Sequence, residues 1–159
     1  QKSAFMDVYL AAAARLFLGN SSGLVYVGVL YGTAAVCVNV VPFGTSLMAM
    51  HGGICLPKLI ADHDGRTMTF AETAGHRSAF DNQCREYEPH GLTPIDNSPE
   101  EIRDAVAEAL DRLDGTWTDP PGAEERQQQY HALVTPRHYC YGAASRIGAS
   151  FLEKNQHLL

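Results

Sequence analysis

The fold of this chain is decided by positions 16–24, which read LFLGNSSGL. Leu16 to Leu18 form an apolar run that Gly19 ends, and this predicts a short buried strand. Asn20 to Gly23 are small or polar, which indicates a turn that opens a helix. The stretch therefore predicts a strand, a tight turn and a helix N-terminus in direct succession.

The segments on either side extend this stretch into an α/β pattern. Positions 5–14 predict a helix, because apolar side chains recur there at helical spacing. Positions 24–31 predict a second helix that stops at Gly32, and positions 34–40 predict a strand that is apolar on both faces. This alternation predicts an α/β fold, with residues 1–159 forming a single domain.

The middle of the chain predicts long loops, because glycine and proline recur throughout positions 41–89. We expect brief strands there near Ile54–Leu56 and Thr67–Phe70. Positions 92–96 predict an edge strand, since Pro94 cannot donate a hydrogen bond within a central ladder.

The C-terminal part predicts three helices. Ser98 and Glu101 have the spacing of a capping box, and they open a helix that Gly115 ends. Two further helices are predicted over positions 124–133 and 142–155, the second as one continuous helix.

Composition and charge exclude several classes of protein. The net charge is −6 with no lysine or arginine cluster, so we expect no nucleic-acid partner. No apolar stretch approaches the roughly 18 residues that span a bilayer, and no signal peptide is visible, so we expect a cytoplasmic protein without a transmembrane segment. The four cysteines lack CxxC spacing and are expected to be reduced. Position 1 is not Met, so we expect the chain to begin inside a longer protein.

The turn formed by Asn20, Ser21, Ser22 and Gly23 is the strongest candidate site. The first N–H groups of a helix lack intrahelical partners and carry partial positive charge, while the two serine hydroxyls add donors. Gly23 lets a ligand approach the backbone, so the turn suits a phosphate or diphosphate. Plain N-capping by serine needs no ligand and is the alternative. GxGxxG and GxxxxGK[ST] are absent, so neither an NAD-type site nor a P-loop is indicated.

Val41, Pro42 and Phe43 follow the next predicted strand to the same edge of the sheet, where open α/β sheets bind ligands. They could form a shallow apolar wall for a nucleotide base. The alternative is that Phe43 fills the core beneath a loop.

Histidines and cysteines show no catalytic or metal-binding spacing. Asp62, His63 and Asp64 could donate to a metal, but three neighbouring residues rarely complete a site, so we predict no metal. A nucleophilic pair would need Cys84 or Cys140 beside His90 or His138, and nothing in the sequence places them together.

Positions 5–24 resemble the donor half of bacterial GT-B glycosyltransferases, and most closely a family of sugar-nucleotide transferases that makes surface polysaccharide. Those sequences share the helix, the strand, the polar Ser-Gly turn, a second helix and a valine-rich strand. The resemblance continues at positions 56–58, 66–70, 97–102, 113–117 and 146–152. More distantly, the turn is similar to the D-[ST]-G turn of heptosyltransferases, although the acidic residue of that motif is missing here.

The resemblance implies a Rossmann-like, three-layer donor-domain fold. It also implies a donor site for a nucleotide-diphosphate sugar, without a cofactor. The serine-glycine turn would hold the diphosphate, and Val41 to Phe43 would lie near the base or ribose. Lys58 and Arg66 would stabilise negative charge on the departing diphosphate while the sugar passes to a glycan acceptor. Solvated surface positions are the alternative for both cations.

The acceptor half and the expected base of such an enzyme are not found in these residues. We therefore expect the C-terminal part of a GT-B enzyme with an incomplete sheet, which needs an N-terminal domain or partner subunit and has little activity alone. A second hypothesis is a non-catalytic α/β interaction module that docks on a partner chain, because an incomplete sheet leaves an edge to cover. A third is a phosphate-binding domain unrelated to sugar transfer. Self-association is left open.

Overall fold

The structure is a computed structural model that describes residues 3–20, 22–49, 53–80 and 87–159. The helices in these residues are α1 (Ala4–Ala13), α2 (Gly23–Leu30), α3 (Phe70–Gly75), α4 (Pro99–Asp114), α5 (Ala123–Ala132) and α6 (Ala149–Lys154). The strands are β1 (Leu16–Gly19), β2 (Ala34–Val40), β3 (Ile54–Pro57), β4 (Leu59–Ala61), β5 (Thr93–Ile95) and β6 (Arg146–Ile147). The predicted order of helix, strand, helix and strand in the first forty residues is confirmed.

The main sheet has four parallel strands in the order β1-β2-β3-β6. The first residues of β1 and β2, Leu16 and Ala34, are aligned. Strand β3 begins two residues further along β2, with Ile54 beside Val36, and the register between β2 and β3 shifts before Val40 is aligned with Pro57. The predicted α/β class with a parallel sheet is confirmed, and this arrangement is compatible with a Rossmann-like fold.

Different helices cover the two faces of this sheet. Gly28 of α2 lies against the ring of Phe17, while Ala105 of α4 and Ile54 of β3 both lie beside Gly148. Phe17 is aligned with Ala35 of β2, and Ile54 is aligned with the next residue, Val36. Successive residues of a strand point to opposite faces, so α2 and α4 lie on opposite sides of the sheet.

The predicted edge strand near Pro94 is confirmed as β5. It pairs antiparallel with β4 in a separate two-stranded sheet, with Leu59 opposite Ile95 and Ala61 opposite Thr93. A small apolar cluster lies beneath this sheet, formed by Ile60, Met68, Tyr87 and Leu92.

Two predicted elements are wrong. Thr67 makes only an isolated bridge to Ala61, and the expected strand up to Phe70 is replaced by the start of α3. The reason is a capping box between Thr69 and Glu72 that opens a helix at this point.

The single helix expected over 142–155 is also wrong. Arg146 and Ile147 instead form β6 at the edge of β3, and α6 begins only after Gly148. The side chain of Gln127 accepts a hydrogen bond from the Ile147 N–H and donates one to the Ile147 carbonyl. These tertiary contacts satisfy the backbone in an extended form, so they override the local helical pattern.

Candidate functional site

The candidate site is the carboxyl edge of the parallel sheet. Strand β1 ends at Gly19, opposite Cys37, so β2 continues for three further residues before Val41. Strand β3 ends beside it at Pro57, which is aligned with Val40. Open α/β sheets bind ligands at this edge, so the residues that follow these strand ends are the candidate ligand-binding residues.

The N-terminus of α2 lies directly after β1 and is open. Ser22 is the N-cap in an extended conformation, and its hydroxyl makes no capping hydrogen bond. Asn20, Ser22 and Gly23 are exposed, and a Cβ added at Gly23 would meet no atom of the described residues within 4 Å outside its immediate neighbours in the chain. Ser21 lies outside the described residues. The helix therefore presents its positive end to open space, without the serine side-chain cap that was the alternative interpretation of Ser22.

Val41, Pro42 and Phe43 follow β2, and the Val41–Pro42 peptide bond is cis. The Phe43 ring is only 4% exposed. It packs against Tyr130 and His138, with ring centroids 5.5 and 5.4 Å away. Phe43 and Pro42 therefore lie in the core, and Val41 is the half-buried member of the three.

Lys58 lies at the carboxyl end of β3. Its backbone N–H donates to the Val40 carbonyl, and its ammonium forms an ion pair with Asp96. Lys58, Val41 and Phe43 line one small cavity of about 10 Å³. The structure thus brings these three predicted residues together. A volume of this size holds roughly one water molecule, so a nucleotide base does not fit between them.

Arg66 lies in the turn after β4 and does not line this cavity. Its guanidinium makes two hydrogen bonds to Glu72, of 3.0 and 3.1 Å, and an ion pair of 3.0 Å with Asp62. The bonds from Arg66 and from Thr69 lower the pKa of Glu72 to about 2. Arg66 thus stabilises the start of α3, and two carboxylates already neutralise its charge.

Asp62, His63 and Asp64 lie close together, with one ligand atom from each within 4.8 Å of the others. The Asp62 carboxylate accepts hydrogen bonds from the N–H groups of Asp64 and Arg66. These hydrogen bonds form a turn, and the turn accounts for the closeness of the three side chains without a metal. The absence of a metal remains a prediction.

Sequence reasoning missed a pair of asparagines that joins the strand ends. The backbone N–H of Asn39 donates to the Asn97 side chain at 2.6 Å, and the Asn97 N–H donates to the Asn39 side chain at 2.7 Å. Asn97 also donates to the Pro57 carbonyl. Asn39 has a φ of 54°, in the left-handed region that asparagine tolerates. The available signal was a lone polar residue inside the apolar strand β2.

Three cysteines lie within the described residues, and Cys37, Cys55 and Cys140 are all free and buried. Burial raises the pKa of the Cys140 thiol. A buried thiol with a raised pKa is a poor nucleophile, so the Cys140–His138 pairing is not supported as a catalytic pair. Cys84 lies outside the described residues.

The chain matches no protein family, no curated protein sequence and no solved structure. Within the described residues, the helices are too short or too polar for any of them to cross a membrane.

Proposed function

We propose that this chain is the donor-binding domain of a GT-B-type glycosyltransferase, which transfers a sugar from a nucleotide-diphosphate donor to a glycan acceptor. The observation that carries the proposal is the open N-terminus of α2 at the carboxyl end of β1. The Ser22 hydroxyl makes no capping hydrogen bond, and Gly23 has no side chain to block the backbone, so this end of the helix offers N–H and hydroxyl donors to a diphosphate. The resemblance of positions 5–24 to bacterial donor domains supports the same assignment.

The chemistry requires stabilisation of the negative charge that develops on the departing diphosphate. The dipole of α2 would supply part of this charge stabilisation without a metal. Between the two candidate cations, Lys58 fits better, because it lies at the end of β3 on the same edge. Lys58 would exchange Asp96 for the ligand, whereas Arg66 is bound by two carboxylates away from that edge. The acceptor site and the base would come from an N-terminal domain or a partner subunit.

Gly23→Val is expected to abolish thermal stabilisation by nucleotide sugars. A ligand at a hundred times its Kd stabilises by about 2.7 kcal/mol, which corresponds to roughly 5–10 °C in a chain of this size. The valine side chain would occupy the open space over the helix N-terminus. Melting curves with UDP, GDP, ADP and CMP sugars measure the effect, and Ser22→Ala is expected to reduce it.

Two controls separate the site from the fold. Gly23→Ala also enters open space, so the melting temperature of the ligand-free chain should barely change in either glycine variant. Thr118→Ala removes an exposed hydroxyl in the loop after α4 and should leave the nucleotide shift intact. A folded wild-type chain that no nucleotide sugar stabilises would contradict the proposal. Equal stabilisation by inorganic phosphate would indicate a general phosphate-binding domain instead.

A second candidate function is an interaction module, and a specific surface favours it. Large apolar side chains are exposed along α1 and at the end of α2, which lie against each other; we name Phe5, Tyr9, Leu10, Leu30 and Tyr31 the α1–α2 face. Strand β1 is adjacent, with a partner on one side only among the described residues. Large apolar side chains exposed on two neighbouring helices are a common feature of protein interfaces.

We propose a second copy of this chain as the occupant of the α1–α2 face. Within α1 and α2 only Asp7 is charged, so two copies of the face would meet with little repulsion despite the net charge of −6. Sedimentation equilibrium should therefore show a dimer, and Leu30→Lys should convert it to a monomer. Ile95→Lys, on β5 outside the face, is the matched control. A wild-type chain that is monomeric at every concentration would rule out self-association through this face.

A further inference from the structure

We propose that the pocket between α3 and the segment after α5 binds a phosphorylated small molecule. The pocket measures about 870 Å³ and opens to solvent, within the range of about 300–1,000 Å³ usual for ligand sites. One wall is the end of α3 with the short helix Arg77–Phe80, and the other is residues 132–138. No function discussed above uses these residues, so the inference does not rest on the proposed donor site.

Two arginines, Arg77 and Arg137, line this pocket from opposite walls. Among the described residues, the other lysines and arginines each pair with a carboxylate, except Arg126, which donates to the Pro121 carbonyl. Arg77 and Arg137 make no such contact within that part of the chain. Of the cations in the described ranges, the two that have no acceptor therefore line the same pocket.

The described residues that line the pocket include no carboxylate. This is unexpected in a chain with 18 acidic and 12 basic residues, and it leaves a local positive potential that would attract an anion. Guanidinium groups bind phosphate oxygens in a bidentate manner, which matches phosphate better than a single point charge does. With only two cations in a net negative protein, the site fits a small molecule.

The walls of the pocket are held together by His138. The Thr135 N–H donates to its Nδ1 at 2.9 Å, so the ring proton is on Nε2, which donates to the Ala74 carbonyl at 3.2 Å. Phe80 stacks on the same ring, with centroids 5.4 Å apart. His138 thus joins α3 to the opposite wall, and the pocket is formed before any ligand binds. The apolar side chains beside it would accommodate the non-phosphate part of the ligand.

Inorganic pyrophosphate is the probe for this site, measured by isothermal titration calorimetry at low ionic strength. The titrations use wild-type and Gly23→Val chains, so binding at the α2 N-terminus cannot account for the signal. Arg77→Gln and Arg137→Gln should each weaken binding about tenfold or more, and the double variant should abolish it. Lysine substitutions keep the charge but lose the bidentate geometry, so they should restore binding only in part.

Arg103→Gln is the matched control, because Arg103 is exposed and pairs with its neighbour Asp104 on α4. It should leave pyrophosphate binding unchanged, and melting temperatures should verify that all variants are folded. Unchanged binding in the double arginine variant would overturn the inference, as would no binding to the folded wild-type chain at millimolar pyrophosphate. If Gly23→Val loses only nucleotide-sugar binding, that loss concerns the donor site. It does not affect the conclusion drawn from pyrophosphate binding at the arginine pocket.

Discussion

Replacing Tyr130 with alanine is expected to lower the free energy of unfolding by about 3–5 kcal/mol. Tyr130 is fully buried in the main core. Its ring contacts Phe43 and Phe70, with centroids 5.5 and 5.1 Å away. Truncation would leave a cavity between α5, α3 and the segment after β2, and this cavity adds to the loss of buried apolar surface. Urea denaturation followed by circular dichroism measures the change.

Tyr130→Phe keeps the ring and serves as the control, and we expect it to cost much less than the alanine variant. The comparison also bears on Phe43, which sequence placed either in a base-binding wall or in the core. A small loss in Tyr130→Ala, close to that of an exposed substitution, would mean that Phe43 and Phe70 close over the gap or are not packed as the structure shows.

Glu108→Ala is expected to destabilise the chain by about 2–4 kcal/mol. The Glu108 carboxylate is buried in α4. It accepts hydrogen bonds from the Ala149 N–H at 2.7 Å and from Arg112 at 3.0 Å. Its loss would leave the first N–H of α6 without a partner and deprive a partly buried arginine of one of its two carboxylates.

Glu108→Gln separates the two contributions. Its amide oxygen can still accept from Ala149, whereas the charge opposite Arg112 is lost, so we expect a smaller decrease in stability. Because Arg112 also pairs with Asp119 at 2.6 Å, the ion pair alone should contribute modestly. If glutamine were as damaging as alanine, the charge would dominate and the capping role of Glu108 would be wrong. The measurement is again the urea midpoint and slope.

The sequence predicted the order of backbone elements at the candidate site, but not the contacts of its side chains. The turn after β1 and the helix that follows it were found because a glycine-terminated apolar run and a small polar turn are local signals. The roles of Phe43, Lys58 and Arg66 depend on the tertiary contacts of each side chain. These contacts cannot be predicted from the neighbouring residues in the sequence. Asn97 lies in one of the stretches that resemble the transferase family, and nothing local in the sequence indicates that its hydrogen bonds connect the ends of β2 and β3.

Local patterns were sufficient to predict the α/β class, the strands β1 and β2, and helix α4 with its capping box, because periodicity and capping act within a few residues. The tertiary structure was needed to place positions 146–147 in the sheet as β6, since that strand depends on β3 and on Gln127 from another helix. It alone also brought Arg77 and Arg137 to one pocket from positions 60 residues apart. Such convergence depends on chain packing, which no local pattern encodes.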